Sequence, residues 1–292
     1  MYFSQVRIRT KIQQSSELHR LIQGNAYGIH QLLWNLFPNR NIRSFLYREE
    51  IAREQLGVQS GVKGEPIFYL VSEERPAVDD PLLKVETKVY SPKLRPGDTL
   101  AFKLRANPVI ARKCAGRKNS VRHDVVMDSQ RNLLLELSSM LGLHGTGTKS
   151  ELKKNIVDAV NSSGNRQVRD KLQAVINENE RFRYAREPEI NRQLAMALKA
   201  YMDKNLEKWL LNKAEANGFE LIRDEKGDRL KFQAESYRWH HLPKKGKTAG
   251  FSSVDFDGVL RVKDPGKVIA VLFKGIGPAK AFGCGLMLVR RV

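Results

Sequence analysis

The hydrophobic period changes twice along this chain, and that change sets what it can fold into. Up to about Ala106, apolar residues come in short alternating runs; from about Asp128 to Asn217 the pattern is almost wholly helical; after that, alternation returns. The economical reading is α+β: two compact units with a helical insertion. Tyr2 to Thr10 reads as a strand, and a helix follows from about Asn25, a good N-cap, to Phe37, stopped by Pro38. Phe45-Leu46-Tyr47 and Ile67 to Val71 are short strands, with loop material over Gly57 to Pro66 between them. Leu83, Val85, Thr87 and Val89 alternate with Lys84, Glu86 and Lys88 as a half-buried strand. The order β-α-β-β-β, with at most a stub of a second helix around Val78 to Leu82, fits a ferredoxin-like half. The closing third predicts a strand over Phe251 to Val262, a helix over Pro265 to Lys274, a glycine-rich loop and a last strand over Leu286 to Arg291. The expected domains are 1–92 and 93–292, the second interrupted by a helical insertion over 128–204.

Charge narrows the function. The 292 residues carry 51 Lys+Arg against 32 Asp+Glu, a net +19. Such a balance predicts a polyanionic partner, nucleic acid before an anionic membrane surface, although solubility accounts for part of it. Clustering favours nucleic acid: between Lys103 and Arg122 stand Lys103, Arg105, Arg112, Lys113, Arg117, Lys118 and Arg122, with no acidic residue. No apolar run is long enough to span a bilayer, so no membrane role is expected. The start, MYFSQVR, lacks a signal-peptide stretch, and a cytoplasmic location is the expectation. Two cysteines, Cys114 and Cys284, exclude a disulfide framework and a Cys-built zinc site, and no acidic cluster has metal-ligand spacing. No cofactor is expected.

Two segments carry candidate chemistry. In YGIHQLLWNLFP, Ile29, Leu32, Leu33 and Leu36 make a buried stripe, while Tyr27, His30 and Trp34 form a neighbouring one. An imidazole titrating near neutrality can take or give a proton, and a phenol one turn away can hydrogen-bond a phosphate or orient a hydroxyl. By themselves these residues better describe a helix-boundary histidine packed beside aromatics. The loop GIGPAKAFGCG (Gly275 to Gly285) has four glycines and Lys280 between a helix and a strand. It suggests close backbone approach to a ligand, with amides near Gly275 and Gly277 forming a phosphate nest and Lys280 adding charge. A tight turn that packs one unit on the other is the structural alternative. The spacing is neither that of a Walker loop nor of a dinucleotide fingerprint.

These residues carry a resemblance. YGIHQLLWNLFPNR (27–40), LRANP (104–108), FDGVL (256–260) and the GIGPAKAFGCG tail resemble the CasE family, the CRISPR repeat-processing endoribonucleases of type I-E Cascade complexes. The resemblance covers roughly 1–127 and 205–292. It implies two tandem ferredoxin-like (RRM-like) domains and metal-independent cleavage of pre-crRNA at the 3′ base of the repeat stem-loop. It further implies that the protein stays on the crRNA hairpin as one Cascade subunit among others. The family's helix-1 histidine falls on His30 and its helper tyrosine on Tyr27, which turns the reading of His30 from packing to catalysis. The chemistry agrees: the ribose 2′-OH loses a proton and attacks phosphorus in line, and the leaving 5′-oxygen gains one. Lys103, Arg105, Asn107, Arg112, Lys113, Arg117, Lys118 and Arg122 are the expected contacts to the RNA stem, with Gly275, Gly277 and Lys280 on phosphate.

The chain departs from the family over about 128–204. Leu133 to Lys154, with its Leu-Gly-Leu and Thr-Gly-Thr-Lys turn, resembles a SAP motif, a helix-extension-helix often used on DNA or RNA. The alternative is a plain αα-hairpin that props the second domain. Pro188 at N1 and Gly218 as a stop frame a long helix. A non-catalytic subunit that caps the RNA hairpin, and a nucleic-acid adaptor led by the insert (reaching target or non-target DNA), are the competing functions.

Overall fold

A computed structural model describes residues 1–9, 26–38, 42–51, 66–113, 116, 119–224, 230–242 and 249–292, apart from the side chains of Ala26, Tyr27 and Ile51. Asn25, the loop residues 57–65, Arg117 and Lys118 lie outside the described residues. The chain forms two compact units, 1–107 with 213–292, and 108–212.

The first unit holds two sheets. β1 (Tyr2–Ile8), β2 (Phe45–Ile51), β3 (Pro66–Ser72) and β4 (Leu83–Val89) pair antiparallel in the order β2-β3-β1-β4. Helix α1 (Ala26–Trp34) covers this sheet, because the stripe Ile29, Leu32, Leu33 and Leu36 is fully buried against Val6, Phe68, Leu70 and Leu83. No second helix forms at Val78 to Leu82. Pro81 interrupts the segment, and the Asp80 carboxylate accepts the amides of Leu82 and Leu83, which makes a turn into β4.

The second sheet repeats that strand order. β5 (Thr99–Ala106) pairs with β10 (Gly250–Val262) and with β11 (Met287–Arg291), and β10 pairs with β8 (Phe219–Leu221), giving β11-β5-β10-β8. β9 (Phe232–His241) also pairs with the long β10 from Gly250 to Gly258. Helix α6 (Pro265–Lys274) lies between β10 and β11 in the chain, with Pro265 at its first position and Asp264 accepting the Lys267 amide as N-cap. Both halves thus show the ferredoxin-like 4-1-3-2 order. Leu46, Val71 and Leu286 form a shared buried cluster with Phe3, Tyr69, Tyr90 and Phe273 around it.

The second unit starts with a two-stranded hairpin, β6 (Val109–Arg112) and β7 (Val121–Asp124). Four helices follow: α2 (Val125–Met140), α3 (Lys149–Ser163), α4 (Arg166–Glu178) and α5 (Ile190–Ala216), the last running back into the first unit. Thr148 and Glu151 close a capping box at α3, and Gly164 ends that helix in the left-handed region (φ 61°). Leu133, Leu137, Ile156, Val160, Leu172, Ile176 and Leu194 form this unit's own core. Pro188 is not the first helical residue of α5. The helix begins two residues later, at Ile190, and Gly218 (φ 75°) follows its end.

Candidate active site

His30 projects from α1 into an aromatic surround. Its ring lies 5.3 Å from Trp34, edge to face, 5.8 Å from Phe45 and 6.5 Å from Tyr47. Its Nδ1 is buried and has no hydrogen-bond partner among the described residues. Burial lowers the imidazole pKa below 6.5, and the positive charge of Arg43, two residues before β2, lowers it further. The ring is therefore neutral at pH 7, with a nitrogen able to accept a proton. Ser44 Oγ, beside Arg43 in the chain, is also buried without a partner among the described residues.

The glycine-rich loop comes to the same place. Its short 3-10 turn, Lys280–Phe282, packs on both α1 and β2. The Tyr47 hydroxyl donates to the Ala281 carbonyl at 3.3 Å, so Tyr47 stands between His30 and the turn. Burial, then Glu49 and Cys284, push the Tyr47 phenol far above its usual range, and it stays neutral. Lys280 donates Nζ to the Lys274 carbonyl at 2.6 Å, and burial followed by the Arg43 charge lowers its pKa. Arg43 thus acts electrostatically on His30, Tyr47 and Lys280 together.

The glycines serve close packing more than an open nest. Gly275 adopts φ 71°, and a Cβ there would sit 2.9 Å from the Gly285 carbonyl and 3.0 Å from Leu46 Cδ1. Its amide donates to Val271, while the amides of Ile276 and Gly285 donate to Gly285 and Arg105. The Gly275 N–H closes the C-terminus of α6.

The basic window Lys103–Arg122 divides between the two units. Lys103 is exposed on β5, as are Lys113 and Arg122 in the second unit. Arg112 is engaged by Asp128, at 2.7 Å from Nη2 and 3.1 Å from Nη1. Arg105 and Asn107 are engaged within the fold. Arg105 grips Asp255 with two 2.9 Å bonds and also donates to the Glu49 carbonyl, while the buried Asn107 donates to the Ser252 carbonyl at 2.7 Å. Both tie β5 to its neighbours, because a guanidinium or amide removed from water takes the nearest acceptor. Arg48, buried on β2, completes the tie with Nη2 3.3 Å from Asp255. Tyr27 lies on α1, one turn before His30.

Sequence reasoning missed Arg43, Tyr47 and Asp255. Only Tyr47, an aromatic in a strand otherwise apolar at its start, carried any signal. Among the described residues no group of three or more His, Cys, Asp or Glu is placed to hold a metal ion. No helix among them is long and apolar enough to cross a membrane.

Two ferredoxin-like halves, with His30 of the first close to the glycine-rich turn of the second, define the fold class. The chain belongs to the CRISPR-associated protein family, whose model matches residues 1–291. It is 35% identical over 85 residues to the CRISPR-associated endoribonuclease Cse3 of Thermus thermophilus, a match covering 28% of this chain and 40% of that relative. It is 24% identical over 265 residues to the Cascade subunit CasE of Escherichia coli K12, covering 90% of each. The solved structure of Thermus thermophilus Cse3 bound to an RNA representing a pre-cleavage complex shares the fold, with TM-score 0.56 and 19% identity over 99% of this chain and 98% of the other.

Proposed function

We propose that this chain is a metal-independent endoribonuclease that cleaves pre-crRNA at the 3′ base of the CRISPR repeat stem-loop and stays bound to the crRNA hairpin as a Cascade subunit. Family membership and relatives named endoribonuclease and Cascade subunit support the reading. The observation that carries it is the neutral imidazole of His30, its Nδ1 without a partner among the described residues, close to Arg43 and the Lys280 turn. His30 accepts the proton of the ribose 2′-OH, the oxygen attacks the adjacent phosphorus as the P–O5′ bond breaks, and the 5′-oxygen takes a proton from the imidazolium or from water. The products are a 2′,3′-cyclic phosphate and a 5′-hydroxyl. Arg43 and Lys280 stabilise the charge that develops on the phosphoryl oxygens, and Tyr27 orients the reacting nucleotide. Lys103, Lys113, Arg117, Lys118, Arg122 and Gly277 contact the RNA, whereas Arg105, Asn107 and Gly275 position the elements that do. The protein works in the cytoplasm, without a cofactor. The helical unit contacts another Cascade subunit or DNA.

The test is incubation with the cognate repeat RNA in EDTA and mapping of the ends. Cleavage with a cyclic-phosphate end, abolished in His30→Ala while hairpin affinity persists, supports the enzyme. Tight binding by the native protein without a cut would refute it and leave a non-catalytic hairpin cap. DNA binding indifferent to the hairpin would instead favour an adaptor led by the insert.

A further inference from the structure

Strand β9 carries a feature that cleavage does not use. Two residues of it, Ser236 and Tyr237, stand opposite the single Val254 of β10, a β-bulge between the Arg238–Ser253 and Glu235–Asp255 pairs. Ser236 takes φ 56°, a left-handed backbone that a serine adopts at a cost. Beyond the bulge, Tyr237 and Trp239 are two residues apart and share one face of the strand, and they remain 42% and 45% exposed.

Trp239 is held in a defined pose. A Cβ at Gly250 would fall 2.6 Å from indole Cζ2, so the ring lies on the bare backbone of β10, with nearly half of its surface left to solvent. The other face of β9 is anchored toward the cleavage site. His240 stacks on Phe251 at 4.5 Å and 10°, Phe251 stacks on Phe282 of the Lys280 turn at 5.1 Å and 21°, and His240 Nε2 bonds Ser253 Oγ at 2.7 Å. A rigid aromatic relay therefore joins the opposite face of β9, at His240, to the turn beside His30.

From Ser236 to Leu242 the chain reads SYRWHHL, with a cation and no acidic residue. An exposed indole held in one pose, on a chain of net charge +19, suits a nucleobase, whose face stacks on the ring. We propose that Trp239, with Tyr237, is a stacking platform for an unpaired nucleotide flanking the RNA stem. It would fix the register of the strand entering the cleavage site. The proposal rests on the RNA-processing reading given above.

The test compares binding of two RNAs at one salt concentration: the repeat hairpin with its flanking unpaired nucleotides, and the same hairpin trimmed to the stem. The native protein should bind the flanked RNA about tenfold more tightly than the trimmed one, within the range for stacking a base on an aromatic ring. Trp239→Ala should bind both alike, and Trp239→Phe should keep most of the difference. Circular dichroism establishes that the variants are folded. Undiminished discrimination by folded Trp239→Ala overturns the platform while leaving the RNA reading intact. Loss of a protein subunit from purified complexes of that variant, with RNA affinity unchanged, overturns it in favour of a protein contact. Failure of the native protein to bind either RNA removes the RNA reading, and the platform falls with it.

Discussion

Removing the carboxylate of Asp255 should loosen the joint between the two ferredoxin-like halves. Asp255 receives two 2.9 Å bonds from Arg105 of β5 and a 3.3 Å contact from Arg48 of β2. It is 17% exposed, and Arg48 is 3% exposed with Nη1 already unpartnered among the described residues. Deleting one partner of a buried ion pair costs about 3–5 kcal/mol, because the remaining charge is stranded out of water. Here Arg48 keeps Glu50, and Arg105 keeps the Glu49 carbonyl, which places Asp255→Ala at the lower end, about 3 kcal/mol. For a unit of this size that lowers the melting temperature by roughly 6–12 °C. Calorimetry of the native protein and of Asp255→Ala measures the shift, and Arg105→Ala with the double variant completes a cycle. A non-additive double variant is expected, since each single change strands the other's partner. A loss below about 1 kcal/mol, or strict additivity, would show that the arginines find water and that the network does not hold the halves together.

The remaining expectations are simpler. Burial and then Arg43 lower the His30 pKa, so the acidic limb of the cleavage pH–rate profile should lie below that of an ordinary imidazole, and Arg43→Gln should move that limb up. The same depression means the unfolded chain binds the proton more tightly, so His30 makes the fold less stable as pH falls through 6.5, a slope that His30→Ala should reduce in denaturant titrations. Gly275→Ala forces a side chain into φ 71° and against the Gly285 carbonyl, and should destabilise the protein by about 1–3 kcal/mol in urea unfolding. Thr148→Ala breaks the capping box of α3 and should cost about 1 kcal/mol, seen as faster amide exchange in the helical unit. The buried Cys284 thiol is pushed up to about 12, by burial above all, and mass spectrometry should find it unlabelled by maleimide in the native protein.

Some of this was legible in the chain and some was not. The stripe Ile29, Leu32, Leu33, Leu36 and the helix Pro265–Lys274 with its Asp264 cap could be read because their signals are local. Strand β9 could not. Its sequence FQAESYRWHH is mostly exposed along its length, so it lacks the alternation that marks a half-buried strand. The stub expected at Val78 to Leu82 failed for a local reason as well, since Asp80 and Pro81 favour a turn.

What the sequence determined alone was periodicity, net charge and the motifs: two α+β halves, a helical stretch, a charge of +19 that calls for a polyanionic partner, and His30 on an amphipathic helix. Those depend on neighbours a few residues apart or on sums over the chain. Tertiary structure decided which polar groups are free to act. Arg105 is held by Asp255, 150 residues away, and Arg43 acts on His30 from 13 positions further along the chain. A charge in sequence is only a residue type. Its partner, its burial and hence its protonation are set by distances that appear when remote strands pair, because electrostatics and desolvation follow separation in space and not along the chain.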